Sequence, residues 1–378
     1  MINKILDNYN IKGKLINIKE DNTGNINKTY IITFINNDIE YKYLVQQINT
    51  NVFNDPYILM ENILGVTNYL KEQLILNNDN NHKVLEIIKT KDNNPMCYIY
   101  NKNGVKKYYR IYKYIDNSIS YDKSFNKDIV YNTGKAFGNF QKLLNNYPMN
   151  SLNETIKDFH DTKKRYDKLI KDINDLSNDR VKEAYQEIEF IIKHQTICDL
   201  IINKLNNNII PYRVTHNDTK VNNVLMNKET LDYLAVIDLD TVMPGSMLFD
   251  YGDGIRSTAC TCLEDEHDLT KVKIDLELFE SYTRGYLSEI SDCITQEELN
   301  LMAKSIEIIT LELAIRFLND YINGDTYFKV EYNKQNLYRT KAQLALVKDI
   351  ETKLDYMDSF IKKCYKQNTN IKKLKNNN

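Results

Sequence analysis

The sequence has no tryptophan, and its 378 residues include only five prolines and eleven glycines. It shows no internal repeat and no long low-complexity segment, which argues against a repeat architecture. No stretch approaches the roughly 18 consecutive apolar residues of a transmembrane helix, so we expect no membrane span. The formal net charge is only −2, and so small a charge does not indicate a nucleic-acid or membrane-surface partner.

The six cysteines are scattered, and the closest two, Cys260 and Cys262, have a single residue between them. This is not one of the usual zinc-binding spacings. We therefore expect reduced thiols, which are typical of the cytoplasm. The first residues show no apolar signal segment, and a cytoplasmic location is the resulting expectation.

Hydrophobic residues make up 42% of the chain and charged residues 27%, which fits a globular protein with a buried core. The length suits two lobes better than one ordinary domain. The N-terminal part contains mainly short apolar runs that predict strands, with one helical pattern that opens at Asp55 and Pro56 and ends near Leu76. The predicted strands cover residues 14–20, 29–34, 40–48, 82–89 and 106–115.

The rest of the chain has apolar residues at helical spacing, interrupted once at residues 211–239, where two short strands and loops are predicted. These patterns predict an α+β fold with a β-rich lobe at residues 1–115 and a helical lobe at residues 116–378. The predicted helices cover residues 125–145, 152–173, 179–205, 269–289, 295–322 and 331–365.

One short region carries the pattern expected of a phosphoryl-transfer site. His216, Asn217 and Asp218 are followed by Asn223, and Asp238 comes after a further apolar run. Phosphoryl transfer needs a carboxylate that orients the attacking hydroxyl, and oxygen ligands for the metal ions that neutralise the phosphates. We predict Asp218 as the catalytic base, with Asn223 and Asp238 as metal ligands. His216 is expected to brace the loop backbone, and the alternative is a polar β-hairpin without catalytic function.

With this motif the sequence resembles the aminoglycoside phosphotransferase and choline kinase superfamily, whose members share the protein-kinase-like fold. The similarity is closest to bacterial N-acetylhexosamine 1-kinases. It is carried by residues 47–53, 59–62, 110–115, 136–141, 159–162, 218–223, 237–245, 316–321 and 324–325. The resemblance implies a two-lobed protein-kinase-like fold, ATP and Mg²⁺ as cofactors, and a small-molecule sugar as substrate. It also implies phosphorylation of the anomeric hydroxyl, which gives a sugar 1-phosphate.

The nucleotide site is predicted near the turn between the first two strands. Gly24 and Asn25 lie there, where backbone N–H groups could cover phosphates, although a turn with one glycine is also an ordinary hairpin turn. Protein kinases carry a phosphate-pairing lysine on the third strand. This strand has glutamine instead, with Gln47 as the predicted nucleotide contact, so the metal ions or another cation must neutralise the phosphates. Lys42 fits only in a different register, and Glu61 is either the partner of such a cation or a solvated charge.

Arg316, Asp320 and Tyr327 are the candidates for binding the acceptor. Arg316 and Asp320 are four residues apart and share one helical face, a spacing that is also common in plain surface ion pairs. The resemblance favours the substrate role. Asp250 is predicted to support the catalytic loop through hydrogen bonds to backbone N–H groups, and the role of Asp253 is left open.

Two other functions fit parts of the pattern. A kinase for choline, an amino alcohol or an aminoglycoside would need an acidic pocket, which residues 264–268 could supply if they are not simply a solvated loop. The missing lysine raises the second alternative, a nucleotide-binding protein without catalysis, although the intact set Asp218, Asn223 and Asp238 argues against it. A small-molecule sugar is the only predicted partner, and the oligomeric state is left open.

Overall fold

A computed structural model describes residues 2–21, 27–176 and 178–376. Within those ranges the chain forms eleven α-helices and eleven β-strands, joined in places by short 3₁₀ turns. The strands are β1 (Lys14–Asp21), β2 (Lys28–Asn36), β3 (Ile39–Gln47), β4 (Ile87–Ile88), β5 (Cys97–Tyr100), β6 (Lys106–Lys113), β7 (Ser118–Ile119), β8 (Arg213–Thr215), β9 (Val224–Asn227), β10 (Tyr233–Val236) and β11 (Met243–Gly245). The helices are α1 (Ile2–Leu6), α2 (Pro56–Leu76), α3 (Lys127–Leu143), α4 (Thr162–Leu176), α5 (Asp179–Glu183), α6 (Tyr185–Lys193), α7 (Leu200–Asn206), α8 (Met247–Ala259), α9 (Leu276–Ile290), α10 (Gln296–Ile322) and α11 (Gln335–Asn376).

The N-terminal region is built on an antiparallel sheet of order β1-β2-β3-β6-β4, in which β5 also pairs with β6. Successive side chains of a strand point to opposite faces. Val45 of β3 and Ile111 of β6 lie in an apolar cluster with Ile5 of α1, on the outer face of the sheet. The other face lies toward α2, where Arg110 reaches Met60. The pleat therefore decides which side chains of β3 and β6 can face the interior of the molecule.

Helix α2 follows its prediction closely. The side chain of Asp55 accepts hydrogen bonds from the N–H groups of Tyr57 and Ile58, and Pro56 occupies the first helical position. A proline is tolerated there because its missing N–H would have no partner within the helix. The local capping pattern therefore sets the start of this helix.

The remainder is mainly helical and is organised around α10, which is buried along most of its length and packs against α4, α8 and α11. Helices α3 and α9 approach closely because glycines face the partner backbone. A Cβ on Gly134 would lie 2.2 Å from the carbonyl oxygen of Tyr282, and one on Gly285 would lie 2.0 Å from that of Tyr131. Among the described residues, no helix has both the length and the apolar character needed to cross a bilayer.

The predicted α+β class is confirmed, while several element boundaries differ. Helix α8 was not predicted, because two aspartates and two glycines interrupt its apolar pattern although twelve of its residues are buried. The predicted helix at 152–173 begins only at Thr162, whose side chain donates a hydrogen bond to buried Glu312. The predicted helix at 179–205 is divided into α5, α6 and α7, the strand at 82–89 shrinks to β4, and β5 was missed.

Candidate active site

Two loops meet where β8 and β11 pair. The first, residues 216–223, follows β8, and the second, residues 237–242, precedes β11; the register pairs Thr215 with Met243. The loops are also joined directly, since the hydroxyl of Thr241 donates to the carbonyl of His216 at 2.6 Å and the side-chain amide of Asn217 donates to the carbonyl of Thr241 at 2.8 Å. This pairing brings the two parts of the sequence motif together.

His216 is completely buried beneath these loops. Its Nδ1 accepts the backbone N–H of Asp218 at 3.3 Å, and its Nε2 lies 2.9 Å from the carbonyl oxygen of Ile237. Because Nδ1 is an acceptor, this network assigns the ring proton to Nε2. The imidazole thus connects one loop to the other.

Asp250 lies beneath the first loop, on the first turn of α8. Its two carboxylate oxygens accept the backbone N–H groups of His216 and Asn217, each at 2.8 Å. Gln141 of α3 donates a further hydrogen bond at 2.8 Å, and the backbone carbonyl of Asp250 accepts from the hydroxyl of Thr219. Burial raises the pKa of Asp250 although these partners favour the ionised form. Together these contacts fix the backbone of the loop that carries Asp218.

Asp218 is partly exposed, and two polar side chains among the described residues contact its carboxylate. Lys220 Nζ lies 2.8 Å from its Oδ1, and the amide of Asn223 donates to its Oδ2 at 2.9 Å and to its backbone carbonyl at 2.8 Å. Desolvation alone would raise the pKa of Asp218, but Lys220, His216 and Asn223 outweigh it and lower that pKa. In turn, Asp218 raises the pKa of Lys220. The carboxylate is therefore ionised at neutral pH.

Asp238 lies at the start of the second loop in a left-handed backbone conformation, with φ of 58°. Such conformations in residues other than glycine concentrate at functional sites. The side chain of Asp238 is exposed, and desolvation by the surrounding protein, followed by the negative charges of Asp240 and Asp218, raises its pKa. Among the described residues its carboxylate has no hydrogen bond and no ion pair. Such a carboxylate without a partner is available to a cation.

Asp240 has a different environment, because both of its carboxylate oxygens are already engaged. Arg110 Nη1 lies 2.6 Å from Oδ1, and the side-chain amide of Asn27 donates to Oδ2 at 2.7 Å. Arg110 comes from β6 and is 1% exposed, and its Nε and Nη2 both donate to Oε1 of Gln46 on β3. The N-terminal sheet and the second loop are thus joined by a buried ion pair.

Of the three predicted nucleotide contacts, Gln47 alone lies within the described residues. Gly24 and Asn25 lie outside the described residues, and Asn27, the first described residue after them, contacts Asp240. Gln47 points to the outer face of the sheet, where its side chain accepts the hydroxyl proton of Tyr109. The strand pleat therefore does not support the predicted nucleotide contact of Gln47 and turns Gln46 inward instead.

The two charges left open near the third strand are both exposed. Lys42 lies four residues before Gln46, in the predicted register, with its side chain in solvent. Glu61 of α2 is also exposed, and its carboxylate accepts a 3.5 Å hydrogen bond from Asn153. Neither residue forms a lysine–glutamate pair with the other. The neighbouring Asn62, which is buried, instead donates to the carbonyl of Val242 in the second loop at 2.9 Å.

Arg316 lies on α10 between two aromatic rings, with its guanidinium 4.9 Å from the ring centre of Phe159 and 5.6 Å from that of Phe328. No hydrogen bond or ion pair engages it among the described residues. Arg165 of α4 is close enough that Arg316 contributes, after burial, to lowering its pKa. The Nε of Arg165 is buried without a hydrogen-bond partner in the described part of the chain. The two arginines form a cationic surface with spare N–H donors.

The other two acceptor candidates are placed differently. Asp320 is buried and accepts the backbone N–H groups of Thr326, Tyr327 and Phe328, together with a hydrogen bond from Asn336. These contacts anchor the loop after α10 and do not support the predicted substrate role of Asp320. Tyr327 is 58% exposed on that loop.

A buried pair links helix α10 to the first loop. Glu312 lies one helical turn before Arg316, and its Oε1 is 2.7 Å from Nδ1 of His160. The Nε2 of His160 lies 3.4 Å from the carbonyl oxygen of Asn217, the residue before Asp218. Glu312, on the same helix as Arg316, is therefore connected through His160 to the backbone beside the predicted base.

The acidic run at residues 264–268 does not form an open carboxylate pocket. Asp265 accepts hydrogen bonds from Tyr332 and Gln335. Glu264 lies 3.4 Å from Arg256, which also pairs with Asp253 at 2.8 Å. Asp268 caps a short 3₁₀ turn through the N–H of Thr270. The role left open for Asp253 is thus an ion pair within α8.

Residues 17–278, more than half of the chain, match the family described as the phosphotransferase enzyme family. The chain belongs to this family. In fold it is similar to a microcompartment-associated aminopropanol kinase, with a TM-score of 0.62 and 15% identity over 93% of this chain and 96% of that one. An amicoumacin kinase in complex with AMP-PNP and Ca²⁺ gives a TM-score of 0.56 and 12% identity over 93% and 92% of the two chains. A choline kinase from Cryptosporidium parvum Iowa II gives 0.53 and 14% over 93% and 94%.

These findings confirm the predicted superfamily, the protein-kinase-like fold and the enzyme class. The protein is a phosphotransferase. Several residues of its site had no role predicted from the sequence. They are Asn27, Gln46, Arg110, Gln141, Arg165, Lys220 and Asp240. Only for Arg110 did the sequence itself point to a buried partner. Arg110 lies between aromatic and aliphatic residues of a strand, and a charge that is buried there must find a partner.

Proposed function

We propose that this enzyme transfers the γ-phosphoryl group of ATP to the anomeric hydroxyl of an N-acetylhexosamine, with Mg²⁺ as the metal. The observation that carries the proposal is the arrangement of Asp218, Asn223 and Asp238 on two cross-linked loops, together with a pair of arginines on α4 and α10 that form no ion pair among the described residues. The first part of this arrangement supports a kinase site, and the second supports an acceptor without positive charge.

Asp218 is the proposed base. Its lowered pKa keeps it ionised, so it can accept a hydrogen bond from the attacking hydroxyl and orient it. Lys220 and Asn223 hold the carboxylate in place, and Asp250 holds the backbone beneath it. The anomeric hydroxyl is the most acidic hydroxyl of the sugar ring, so one carboxylate suffices. Lys220 also provides a positive charge beside the transferring group.

One residue from each loop could hold a hard divalent cation. Among the described residues the carboxylate of Asp238 has no hydrogen-bond or ion-pair partner, and Mg²⁺ prefers such oxygen ligands. Asn223 donates its side-chain amide protons to Asp218, and its side-chain oxygen Oδ1 accepts no hydrogen bond from the described residues. We propose these two residues as the ligands. The bound metal would neutralise phosphate charge and help to orient the nucleotide.

We further propose residues 1–115 as the nucleotide lobe and residues 116–378 as the catalytic and acceptor lobe. The last strand of the large sheet, β6, ends at Lys113, whereas β7 already pairs with β9 of the catalytic region. ATP would lie between the two regions, where Asn27 approaches Asp240. Gly24 and Asn25, which lie outside the described residues, are the proposed contacts of its phosphates.

The acceptor proposal rests on charge and on aromatic faces. Choline and protonated amines are recognised by carboxylates or by aromatic faces that attract a cation. Here the faces of Phe159 and Phe328 already carry the guanidinium of Arg316, and Arg165 adds a second positive charge. These groups would repel an ammonium group and can donate hydrogen bonds to sugar oxygens. An N-acetylhexosamine therefore fits this surface better than choline, an amino alcohol or an aminoglycoside.

A coupled ADP-release assay tests the proposal, run over N-acetylglucosamine, N-acetylgalactosamine, unmodified hexoses, choline, ethanolamine and kanamycin. We expect the highest kcat/KM for an N-acetylhexosamine. Phosphorus NMR of that product should show a sugar 1-phosphate. Turnover of choline or an amine in preference to every sugar would refute the acceptor class, and a 6-phosphate would refute the proposed site of transfer. No turnover of any acceptor would favour the non-catalytic alternative.

A further inference from the structure

The third strand of the sheet has no lysine at the position that faces the interior, and the register shows what replaces it. Gln46 of β3 is the cross-strand partner of Arg110 on β6. Their side chains meet on the inner face, where Nε and Nη2 of Arg110 donate to Oε1 of Gln46 at 3.1 and 2.9 Å. The cation on the inner face of the sheet therefore belongs to β6, and Gln46 of β3 accepts its hydrogen bonds.

Arg110 is almost completely buried, and its burial limits the groups that it can contact. Its side chain is 1% exposed, so the guanidinium has almost no surface on which a ligand could contact it. Its Nη1 instead lies 2.6 Å from Oδ1 of Asp240, two residues after Asp238. Contact with Asp240 is therefore the route by which Arg110 can influence the site.

We propose that Arg110 is a positioning residue for the nucleotide-bound metal, acting through Asp240. The Arg110–Asp240 ion pair and the hydrogen bond from Asn27 occupy both oxygens of Asp240. They fix the turn in which Asp238 holds its left-handed backbone conformation, and they leave Asp238 as the free ligand. Arg110 also offsets the negative charge of Asp240 beside two other carboxylates. In this way Arg110 of the sheet influences both the orientation and the charge of the second loop.

This inference rests on the proposed kinase function, in that it requires a metal–nucleotide complex. The test is the equilibrium binding of AMP-PNP by calorimetry at increasing Mg²⁺, which needs no acceptor and no turnover. Asp240→Asn keeps the shape of the side chain and removes its charge. Arg110→Gln removes the cation, and Arg110→Lys keeps the charge but loses the planar group that contacts Gln46 and Asp240 together.

A matched control is available at a second buried arginine–carboxylate pair. Arg213 Nε lies 2.7 Å from Oε1 of Glu298, and Nη2 lies 2.8 Å from Oε2, with both side chains buried. Glu298→Gln should lower the melting temperature, as Asp240→Asn should, because each leaves a buried arginine without its charged partner. Only the pair at Asp240 should alter the Mg²⁺ dependence of nucleotide binding.

We expect Asp240→Asn and Arg110→Gln to raise the Mg²⁺ concentration for half-maximal AMP-PNP binding by roughly 10- to 100-fold, the usual effect of losing a partner behind a metal ligand. Arg110→Lys should give an intermediate shift, and Glu298→Gln a shift of less than about twofold. If Arg110→Gln does not fold, Asp240→Asn decides the question. Shifts no larger than that of Glu298→Gln would overturn the proposal. Mg²⁺-dependent binding of AMP-PNP without turnover of any acceptor would reject the proposed function and leave this inference standing.

Discussion

Lys220 Nζ lies 2.8 Å from Oδ1 of Asp218, so the proposed base carries its own counter-cation within the same loop. Together with His216 and Asn223, Lys220 lowers the pKa of the base. A group with a lowered pKa is ionised over a wider pH range and is a weaker base, which suits a residue that orients a hydroxyl during phosphoryl transfer.

Asp218→Asn should abolish turnover and largely spare ATP binding, because the carboxylate acts on the acceptor hydroxyl. Removal of a positioned base costs about 10² to 10⁴ in rate. Steady-state ADP release and AMP-PNP calorimetry measure the two effects separately. Asp232→Asn, on the exposed turn between β9 and β10, is the matched control and should behave as wild type. Turnover of the Asp218 variant near the wild-type rate would exclude this base.

Asn223→Ala should raise the Mg²⁺ requirement of the reaction roughly tenfold, within the range seen when metal-site contacts are lost, and Asp238→Ala should raise it further. The difference follows because the carboxylate contributes charge as well as geometry, whereas the amide contributes an oxygen alone. Activity measured across a Mg²⁺ series should therefore recover more fully for Asn223→Ala. An unchanged Mg²⁺ dependence in both variants would contradict the assigned ligands.

Arg316→Met should raise KM for the sugar roughly ten- to hundredfold, as expected for one hydrogen bond from a charged donor, with little change in KM for ATP. Methionine keeps an apolar stem between the two phenylalanine rings. Arg339→Met is the control, because Arg339 also lies over a phenylalanine, with its guanidinium 5.4 Å from the ring centre of Phe317. Equal effects of Arg316→Met on both KM values would remove this residue from the acceptor site.

Glu312 gives the protein a specific acid sensitivity. Burial would raise its pKa, but His160, Arg316 and Thr162 outweigh burial and lower that pKa from its usual value of 4.5. A lowered pKa in the folded state stabilises the fold above the unfolded pKa, and this contribution is lost as the pH falls through the folded value. Glu312→Gln should cost about 3–5 kcal/mol at pH 7, as for a broken buried pair.

The difference in unfolding free energy between wild type and Glu312→Gln should therefore shrink as the pH is lowered below 4.5. Urea unfolding at a series of pH values measures it. Glu229→Gln, at an exposed carboxylate, should show no comparable difference at any pH. A wild-type advantage that stays constant down to strongly acidic pH would show that the charge of Glu312 does not contribute.

The parts of the site that the sequence predicted are those in which the chemistry depends on neighbours along the chain. Asp218 and Asn223 are five residues apart, and their hydrogen bonds close within one loop. The start of α2 follows from Asp55 and Pro56 alone, because a helix cap involves only the first turn. The α+β class likewise follows from the periodicity of apolar residues.

The tertiary structure alone decided the contacts that join distant segments. Arg110 and Asp240 are 130 residues apart, and nothing along the chain shows that a charge on β6 would meet the second loop. Whether Gln46 or Gln47 faces the interior depends on which face of the sheet α1 covers. The four-residue spacing places Asp320 on the same helical face as Arg316. In the folded protein, however, the carboxylate of Asp320 accepts hydrogen bonds from backbone N–H groups of the loop after α10. Local spacing determines which groups are available, and only the packing of the elements determines which partners they meet.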